Sequence, residues 1–182
     1  MESTTQSSKE LVSPFSVLDL IYGAIMIRLE RTIKKLKKEP DIVFLSDNLA
    51  IGGYTKYSLL VGKVDCILDL RQEAPSLENF SKELGFDYLK LGIKDGGAPT
   101  LEQVKLATRW IKGKLRNGKK VLIHCNLGRG RAPLIACIFL CSEGFPLKNC
   151  LNLIRAKRKY VYFNSKQLKI LKELGSLGET IA

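Results

Sequence analysis

One segment near the middle of the chain constrains the fold most strongly. Residues Val121–Pro133 read VLIHCNLGRGRAP. The segment opens with an apolar run typical of a strand at the buried centre of a sheet. A loop with two glycines follows, and Pro133 suits an early position in a helix. Because N–H groups in such a turn converge on one point and the helix N-terminus is partly positive, the segment predicts an α/β fold with an anion-binding loop.

Two side chains give this loop its chemistry. Cys125 lies at its base, where a helix N-terminus and a nearby arginine favour the thiolate. Arg131 has a planar fork that can bind two phosphate oxygens. A Cys-x5-Arg spacing arises easily by chance, so the strand before it and the glycines and helix after it carry the interpretation. The alternative is a buried structural cysteine beside an ordinary loop.

Composition narrows the class of protein. The 182 residues contain 30 Lys plus Arg and 18 Asp plus Glu, a net charge of +12 that favours an anionic partner. A hydrophobic content of 45% argues against a largely disordered chain. The five cysteines form no CxxC pair and four lie in apolar runs, which favours a reducing compartment over a disulfide framework. The single histidine excludes a His-rich zinc site, and we expect neither metal nor cofactor.

The order of elements predicts one folded α/β domain over residues 41–182, preceded by a polar tail and a basic helix over residues 1–40. The predicted strands are Ile42–Leu45, Leu49–Ile51, Val64–Leu70, Tyr88–Ile93 and Val121–Ile123. The predicted helices are Leu77–Leu84, a helix opened by Thr100 and ended by Asn117, Pro133–Glu143, Pro146–Lys157 and Ser165–Leu174. Thr100 and Gln103 have the spacing of a capping box.

The first helix is predicted over Phe15–Lys38. Its apolar part runs from Val17 to Ile27 and already contains Asp19, so it is shorter than the roughly 20 apolar residues of a membrane span. Its positive charge follows the apolar run, unlike that of a secretory signal. Two interpretations stay open: a helix packed on the domain with a solvated basic tail, or an interfacial helix on anionic lipid.

The loop resembles a known signature. HCNLGRGR is similar to the HCxxGxxR sequence of the cysteine-dependent protein tyrosine and dual-specificity phosphatases. Residues 86–116 resemble their acid loop and following helix, and residues 155–174 resemble their final helices, so the likeness covers about residues 41–175. It implies a central, mainly parallel sheet flanked by helices, with the N-terminal helix as an addition.

The resemblance also implies a mechanism without a metal. Cys125 would attack phosphorus and form a cysteinyl phosphate, and Asp95 would first protonate the leaving oxygen and then activate water. His124 would support the cysteine through hydrogen bonds. The phosphate would be bound by Asn126, Leu127, Gly128, Arg129, Gly130 and Arg131. The alternative for Asp95 is a plain turn residue, because Asp-Gly is a turn dipeptide.

One position departs from the signature. The family usually has Ser or Thr after the arginine, and its hydroxyl helps the thiolate to leave, whereas this chain has Ala132. The missing hydroxyl is expected to affect the breakdown of the cysteinyl phosphate and not its formation. Glucan phosphatases in the family carry the same Ala-Pro pair, so activity is still expected.

The substrate is less constrained. Small dual-specificity enzymes imply a phosphorylated protein or peptide, a monomer and a cytoplasmic location. Arg129, expected at the pocket mouth, and the basic helix favour a phospholipid headgroup and a peripheral membrane location as the alternative. The basic segment RAKRKYVY (residues 155–162) supports the same alternative or is a solvated helix face. Glucan, an RNA 5′ end and a non-catalytic phosphate-binding module rank lower, and nucleic acid is not the expected partner.

Overall fold

A five-stranded sheet forms the centre of the protein. The computed structural model describes residues 17–36 and 40–179. The strands are β1 (Ile42–Phe44), β2 (Leu49–Gly52), β3 (Cys66–Arg71), β4 (Asp87–Ile93) and β5 (Val121–His124), in the order β1-β2-β5-β3-β4. β1 runs antiparallel to β2, and all other neighbours are parallel. The predicted mainly parallel sheet is confirmed.

Helices cover the two faces of this sheet unequally. They are α1 (Val17–Leu36), α2 (Glu78–Glu83), α3 (Leu101–Arg116), α4 (Arg131–Ser142), α5 (Leu147–Lys157) and α6 (Ser165–Glu179). The larger hydrophobic core lies between one sheet face and α3 to α6. The smaller core on the other face includes Tyr57, which begins a short 3₁₀ turn, and the leucines that flank α2.

The central position of strand β5 in the sheet explains why its sequence is continuously apolar. Val121 and Ile123 point into the larger core and Leu122 into the smaller one, because successive side chains of a strand alternate between faces. Helix α4 follows β5 and is buried at ten of its twelve residues, among α3, α5 and α6. A helix that is apolar on all sides must be enclosed in this way. The loop between β5 and α4 is therefore anchored at both ends in the core.

The start of α3 shows the predicted capping box. The Gln103 N–H donates to the Thr100 hydroxyl (3.2 Å), and the Thr100 N–H donates to Gln103 Oε1 (2.9 Å). These two bonds satisfy N–H groups that a helix start otherwise leaves without a partner. The Gln103 amide also donates to Gly92 O (3.0 Å), which ties α3 to strand β4.

Helix α1 packs on the domain along one side. Gly23 and Ile27 are buried, and Arg31 Nη2 donates to Tyr54 O (3.3 Å). A Cβ at Gly23 would lie 3.3 Å from the Tyr160 ring, so glycine lets the helix approach closely. In the described part of the chain, no helix combines the length and the apolar character that crossing a bilayer requires.

The ends of the predicted N-terminal helix lie outside the described residues, as does the polar tail. These positions are residues 1–16 and 37–39, together with 180–182 at the other terminus. The division of the chain at residue 40 stays a prediction.

Candidate active site

The predicted loop joins the end of β5 to the start of α4. Cys125 is buried at its base with a free thiol, and the Gly128 N–H donates to its Sγ (3.2 Å). Gly128 has φ +66°, and a Cβ there would lie 2.6 Å from the Gly52 carbonyl carbon. Only glycine fits this turn. The strand, loop and helix predicted around Cys125 are confirmed.

Arg131 is the first residue of α4 and is almost fully buried. Its Nη1 donates to Glu73 Oε2 (2.7 Å) and Ile93 O (2.9 Å), and its Nη2 donates to Glu73 Oε1 (2.8 Å). Burial opposes the charge of the guanidinium, yet Glu73 raises the pKa of Arg131, and Arg131 lowers the pKa of Glu73. The pair is therefore ionised and holds the guanidinium in one orientation.

Asp95 reaches the same guanidinium. It follows β4 by two residues, and its Oδ1 is 2.8 Å from Arg131 Nη2, although its side chain is 78% exposed. The carboxyl ends of the parallel strands β5, β3 and β4 share one edge of the sheet, and Cys125, Glu73 and Asp95 follow these three ends. This is why residues distant in sequence meet there.

Two residues at the start of α6 hold the turn after Asp95. Asn164 Nδ2 donates to Gly96 O (2.7 Å), and Gln167 Nε2 donates to Gly97 O (3.0 Å). They also brace each other, because the Asn164 N–H donates to Gln167 Oε1 and the Gln167 N–H donates to Asn164 Oδ1. Neither residue was predicted from the sequence, although Asn-x-x-Gln before an amphipathic run has capping-box spacing.

The ring nitrogens of His124 bond to the Cys125 carbonyl and to the Tyr57 hydroxyl rather than to the Cys125 sulfur. Its Nδ1 is 3.3 Å from Cys125 O and its Nε2 is 2.8 Å from the Tyr57 hydroxyl. Since a carbonyl only accepts, Nδ1 carries the hydrogen and Nε2 accepts from Tyr57. Burial lowers the pKa of His124 to about 4, so the ring is neutral at neutral pH.

Arg158 holds the outer side of the loop over residues 126–130. Its Nε donates to Gly128 O (2.7 Å), its Nη2 to Leu127 O (3.0 Å), and its guanidinium pairs with Asp41 through both carboxylate oxygens. In a trans peptide the carbonyl points away from the next N–H, so these bonds turn the Gly128 and Arg129 N–H groups inward. The interpretation of residues 155–162 as a solvated helix face is wrong for Arg158, which is buried.

Arg129 was expected to point toward the mouth of the pocket. Its Nε donates to Tyr160 O (3.3 Å), and a Cβ on Gly23 of α1 would lie 3.6 Å from its Nη2. The side chain is half-buried between the loop and α1, and burial lowers its pKa. The bond to Tyr160 O and the close approach of α1 at Gly23 hold the side chain against the protein.

The remaining predicted loop positions contribute through their backbone. The Asn126 carbonyl accepts from the Tyr54 N–H (2.9 Å), and Gly130 is the residue before α4. Ala132 is fully buried in the first turn of α4. The structure thus brings together Cys125, Arg131, Asp95 and the loop over residues 126–130.

Comparison with known proteins agrees with this geometry. Residues 51–176 match the family described as dual specificity phosphatase, catalytic domain. The chain is 37% identical over 91 residues to "Probable protein tyrosine phosphatase type IVA B" of Dictyostelium discoideum, covering 46% of this chain and 53% of that protein. It is 34% identical over 91 residues to mouse protein tyrosine phosphatase type IVA 2, covering 49% and 54%. The chain thus spans about half the length of these relatives.

Solved structures extend the likeness over more of the fold. Tk-PTP in its active form superposes with a TM-score of 0.69 at 31% identity, covering 75% of this chain and 97% of that one. PTPMT1 in complex with PI(5)P superposes with a TM-score of 0.69 at 17% identity, covering 78% and 98%, and shows the shared fold. Because the family match spans most of the chain, the protein belongs to the family of dual specificity phosphatase catalytic domains.

Proposed function

We propose that the protein hydrolyses phosphate monoesters through a cysteinyl phosphate on Cys125. The observation that carries the proposal is the convergence of the Cys125 sulfur, the Arg131 guanidinium and the Asp95 carboxylate on one pocket. A thiolate at the base of a ring of N–H groups can attack phosphorus, while these groups stabilise the equatorial oxygens. The names of the relatives, tyrosine phosphatases, support the same chemistry.

The ion pair between Asp95 and Arg131 suggests how substrate prepares the site. While Asp95 is paired with Arg131, its carboxylate is directed at the guanidinium and not at a leaving group. An arriving phosphate oxygen competes for Arg131 Nη2 and separates the pair. Asp95, whose side chain is exposed, is then free to turn toward the leaving oxygen and act as the general acid.

The proposed reaction has two chemical steps. The S–P bond to Cys125 forms while the P–O bond to the leaving group breaks, and that oxygen takes a proton from Asp95. Water then attacks phosphorus, Asp95 takes its proton, the S–P bond breaks and the thiolate returns. Ala132 offers no hydroxyl to the departing sulfur, so the Gly128 N–H, 3.2 Å from it, is the group in place to stabilise it.

Phosphorylated proteins or peptides are the proposed substrates, and the proposed enzyme is a cytoplasmic monomer. The test is turnover of peptides phosphorylated on tyrosine, serine or threonine by the full chain. Cys125→Ser should abolish turnover yet still bind inorganic phosphate, because the loop and Arg131 remain. Near-normal turnover by that variant would overturn the proposal, and EDTA is expected to leave kcat unchanged.

A phospholipid headgroup is the second candidate substrate. The specific observation in its favour is that α1 packs against Arg129 of the loop while its outer side chains stay exposed. PTPMT1, of the same fold, is described in complex with PI(5)P. The two candidates are separated by measuring turnover of phosphoinositide and phosphatidylglycerophosphate in parallel with the phosphopeptides. A higher kcat/KM on the lipids would make a phospholipid the favoured substrate. Turnover of the peptides alone would exclude the phospholipid.

A further inference from the structure

The outward face of α1 is apolar along its whole length. Of the thirteen large apolar side chains that are exposed in the described residues, eight lie on this one helix, with exposed fractions from 43% to 79%. They are Val17, Leu18, Ile21, Tyr22, Ile25, Leu29, Ile33 and Leu36. Most follow one another at intervals of three or four, so they form a continuous stripe about 30 Å long. An exposed patch of this size marks an interaction surface.

This apolar stripe lies opposite the face that packs on the domain. Gly23 and Ile27 are buried against the protein, whereas Ile25 and Leu29, two residues further along, are exposed. The stripe therefore faces away from the domain, and a small shift of the helix would not bury it.

Exposed cations lie next to the stripe at two places. Arg28 is exposed beside Ile25 and Leu29. The stripe residue Tyr22 contacts Tyr160 edge to face, with ring centroids 6.3 Å apart, and Lys159 next to Tyr160 is exposed. Apolar side chains flanked by cations suit an anionic bilayer, where the apolar groups enter the interface and the cations meet headgroups.

Other occupants fit the stripe less well. Residues 1–16 contain only four large apolar side chains, Met1, Leu11, Val12 and Phe15, too few to cover eight. A second copy would bring together two chains of net charge +12, which repel each other.

We propose that α1 docks the protein on the surface of an anionic lipid bilayer through this apolar stripe. The docked bilayer is separated from the loop that contains Arg129 by the width of α1, because the inner side of the helix, at Gly23, lies next to Arg129. Docking brings the enzyme to phosphate groups near the membrane, whether a protein or a lipid carries them. This docking role is separate from the proposed hydrolysis, which needs no membrane.

The test measures binding of the full chain to vesicles of phosphatidylcholine with and without phosphatidylserine. The protein should sediment with the anionic vesicles, and raising the salt concentration should release it. Replacing both Ile25 and Leu29 by Gln should lower the partition coefficient about tenfold or more, because less apolar surface enters the interface. Arg28→Gln should lower it about fivefold. Val61→Gln is the matched control, since Val61 is about as exposed as Ile25 and Leu29. It precedes strand β3 and so lies near the end of the sheet opposite Cys125.

Three results would overturn docking: no binding to anionic vesicles at low salt, binding that the Ile25/Leu29 double variant retains, or a soluble dimer that this variant dissociates. Helicity and Tm of the double variant show that the helix persists. Turnover of a soluble aryl phosphate should be the same in all these variants. If the unaltered protein does not turn over the aryl phosphate, the proposed chemistry is refuted. The vesicle-binding result is independent of that outcome.

Discussion

Glu73 and Arg131 form a two-pronged ion pair in which each terminal guanidinium nitrogen meets one carboxylate oxygen, at 2.7 and 2.8 Å. Arg131 starts α4, whereas Glu73 follows strand β3 by two residues. Two parallel bonds fix the plane of the guanidinium as well as its position. Glu73 is therefore the residue that aims Arg131 at the pocket.

Loss of this pair should weaken phosphate binding. Glu73→Gln removes the charge and one acceptor, which costs about 1.5–3 kcal/mol for a charge-assisted bond and predicts a fall in kcat/KM of about 10- to 100-fold. The measurement is kcat/KM on an aryl phosphate together with the inhibition constant of inorganic phosphate. Glu78→Gln, at an exposed carboxylate on α2, is the control. Equal behaviour of the two variants would contradict the role of Glu73.

Asp95 should matter most for poor leaving groups. Asp95→Asn is expected to lower kcat by about 10²- to 10⁴-fold on phenyl phosphate, because the leaving phenoxide then receives no proton. A nitrophenyl phosphate should lose far less, since its leaving group needs no acid. The slope of log kcat against leaving-group pKa checks this. The same loss on both substrates would remove Asp95 from the acid role.

Gln167 should act on catalysis through the turn after Asp95. Gln167→Ala removes the bond to Gly97 O, so Asp95 is held less firmly, and kcat on phenyl phosphate should fall about tenfold or more. The inhibition constant of phosphate should stay unchanged, because Cys125 and Arg131 are untouched. Lys166→Ala, an exposed neighbour on α6, serves for comparison. A parallel rise of that inhibition constant would indicate a general disturbance of the loop.

Restoring a hydroxyl after Arg131 should speed the second step. In Ala132→Ser the new group can stabilise the departing thiolate, and one hydrogen bond of about 1 kcal/mol predicts a kcat about fivefold higher. Any burst of leaving group before the steady state should shrink. Rapid-mixing kinetics measure both quantities. An unchanged burst and kcat would mean that the Gly128 N–H already suffices.

The buried His124 predicts a loss of stability in mild acid. Its folded-state pKa of about 4 lies below the ordinary 6.5, so the unfolded chain binds the proton more tightly. Stability is therefore full above pH 6.5 and falls as the pH drops towards 4, by about 3 kcal/mol in total. Denaturant unfolding of the protein and of His124→Asn at several pH values checks this. The dependence should flatten in the variant, and an equal slope in both would assign it to other groups.

Local signals were sufficient for part of the site. The order of apolar run, glycine loop and helix predicted where Cys125 and Arg131 lie, because strand, nest and helix N-terminus are neighbours in sequence. The Thr100–Gln103 box was predictable for the same reason. The family resemblance added Asp95, which the structure brings to Arg131.

Other contacts needed the three-dimensional order of the strands. Glu73 meets Arg131 because β3 lies next to β5, and no local pattern reveals that adjacency. The position of Arg129 depends on how α1 crosses the loop, which the composition of α1 leaves open. Such contacts join segments far apart in sequence, so pattern alone does not specify them.

The bond between Arg158 and Asp41 joins residues 117 positions apart. During synthesis Cys125 and Arg131 leave the ribosome before Arg158, so the nascent phosphate-binding loop lacks the guanidinium that turns its N–H groups inward. The contacts that hold the loop over residues 126–130 are therefore completed late in translation, after all five strands of the sheet have been made. A shortened chain that begins at residue 51, where the family match starts, loses Asp41 and leaves the Arg158 charge without this carboxylate.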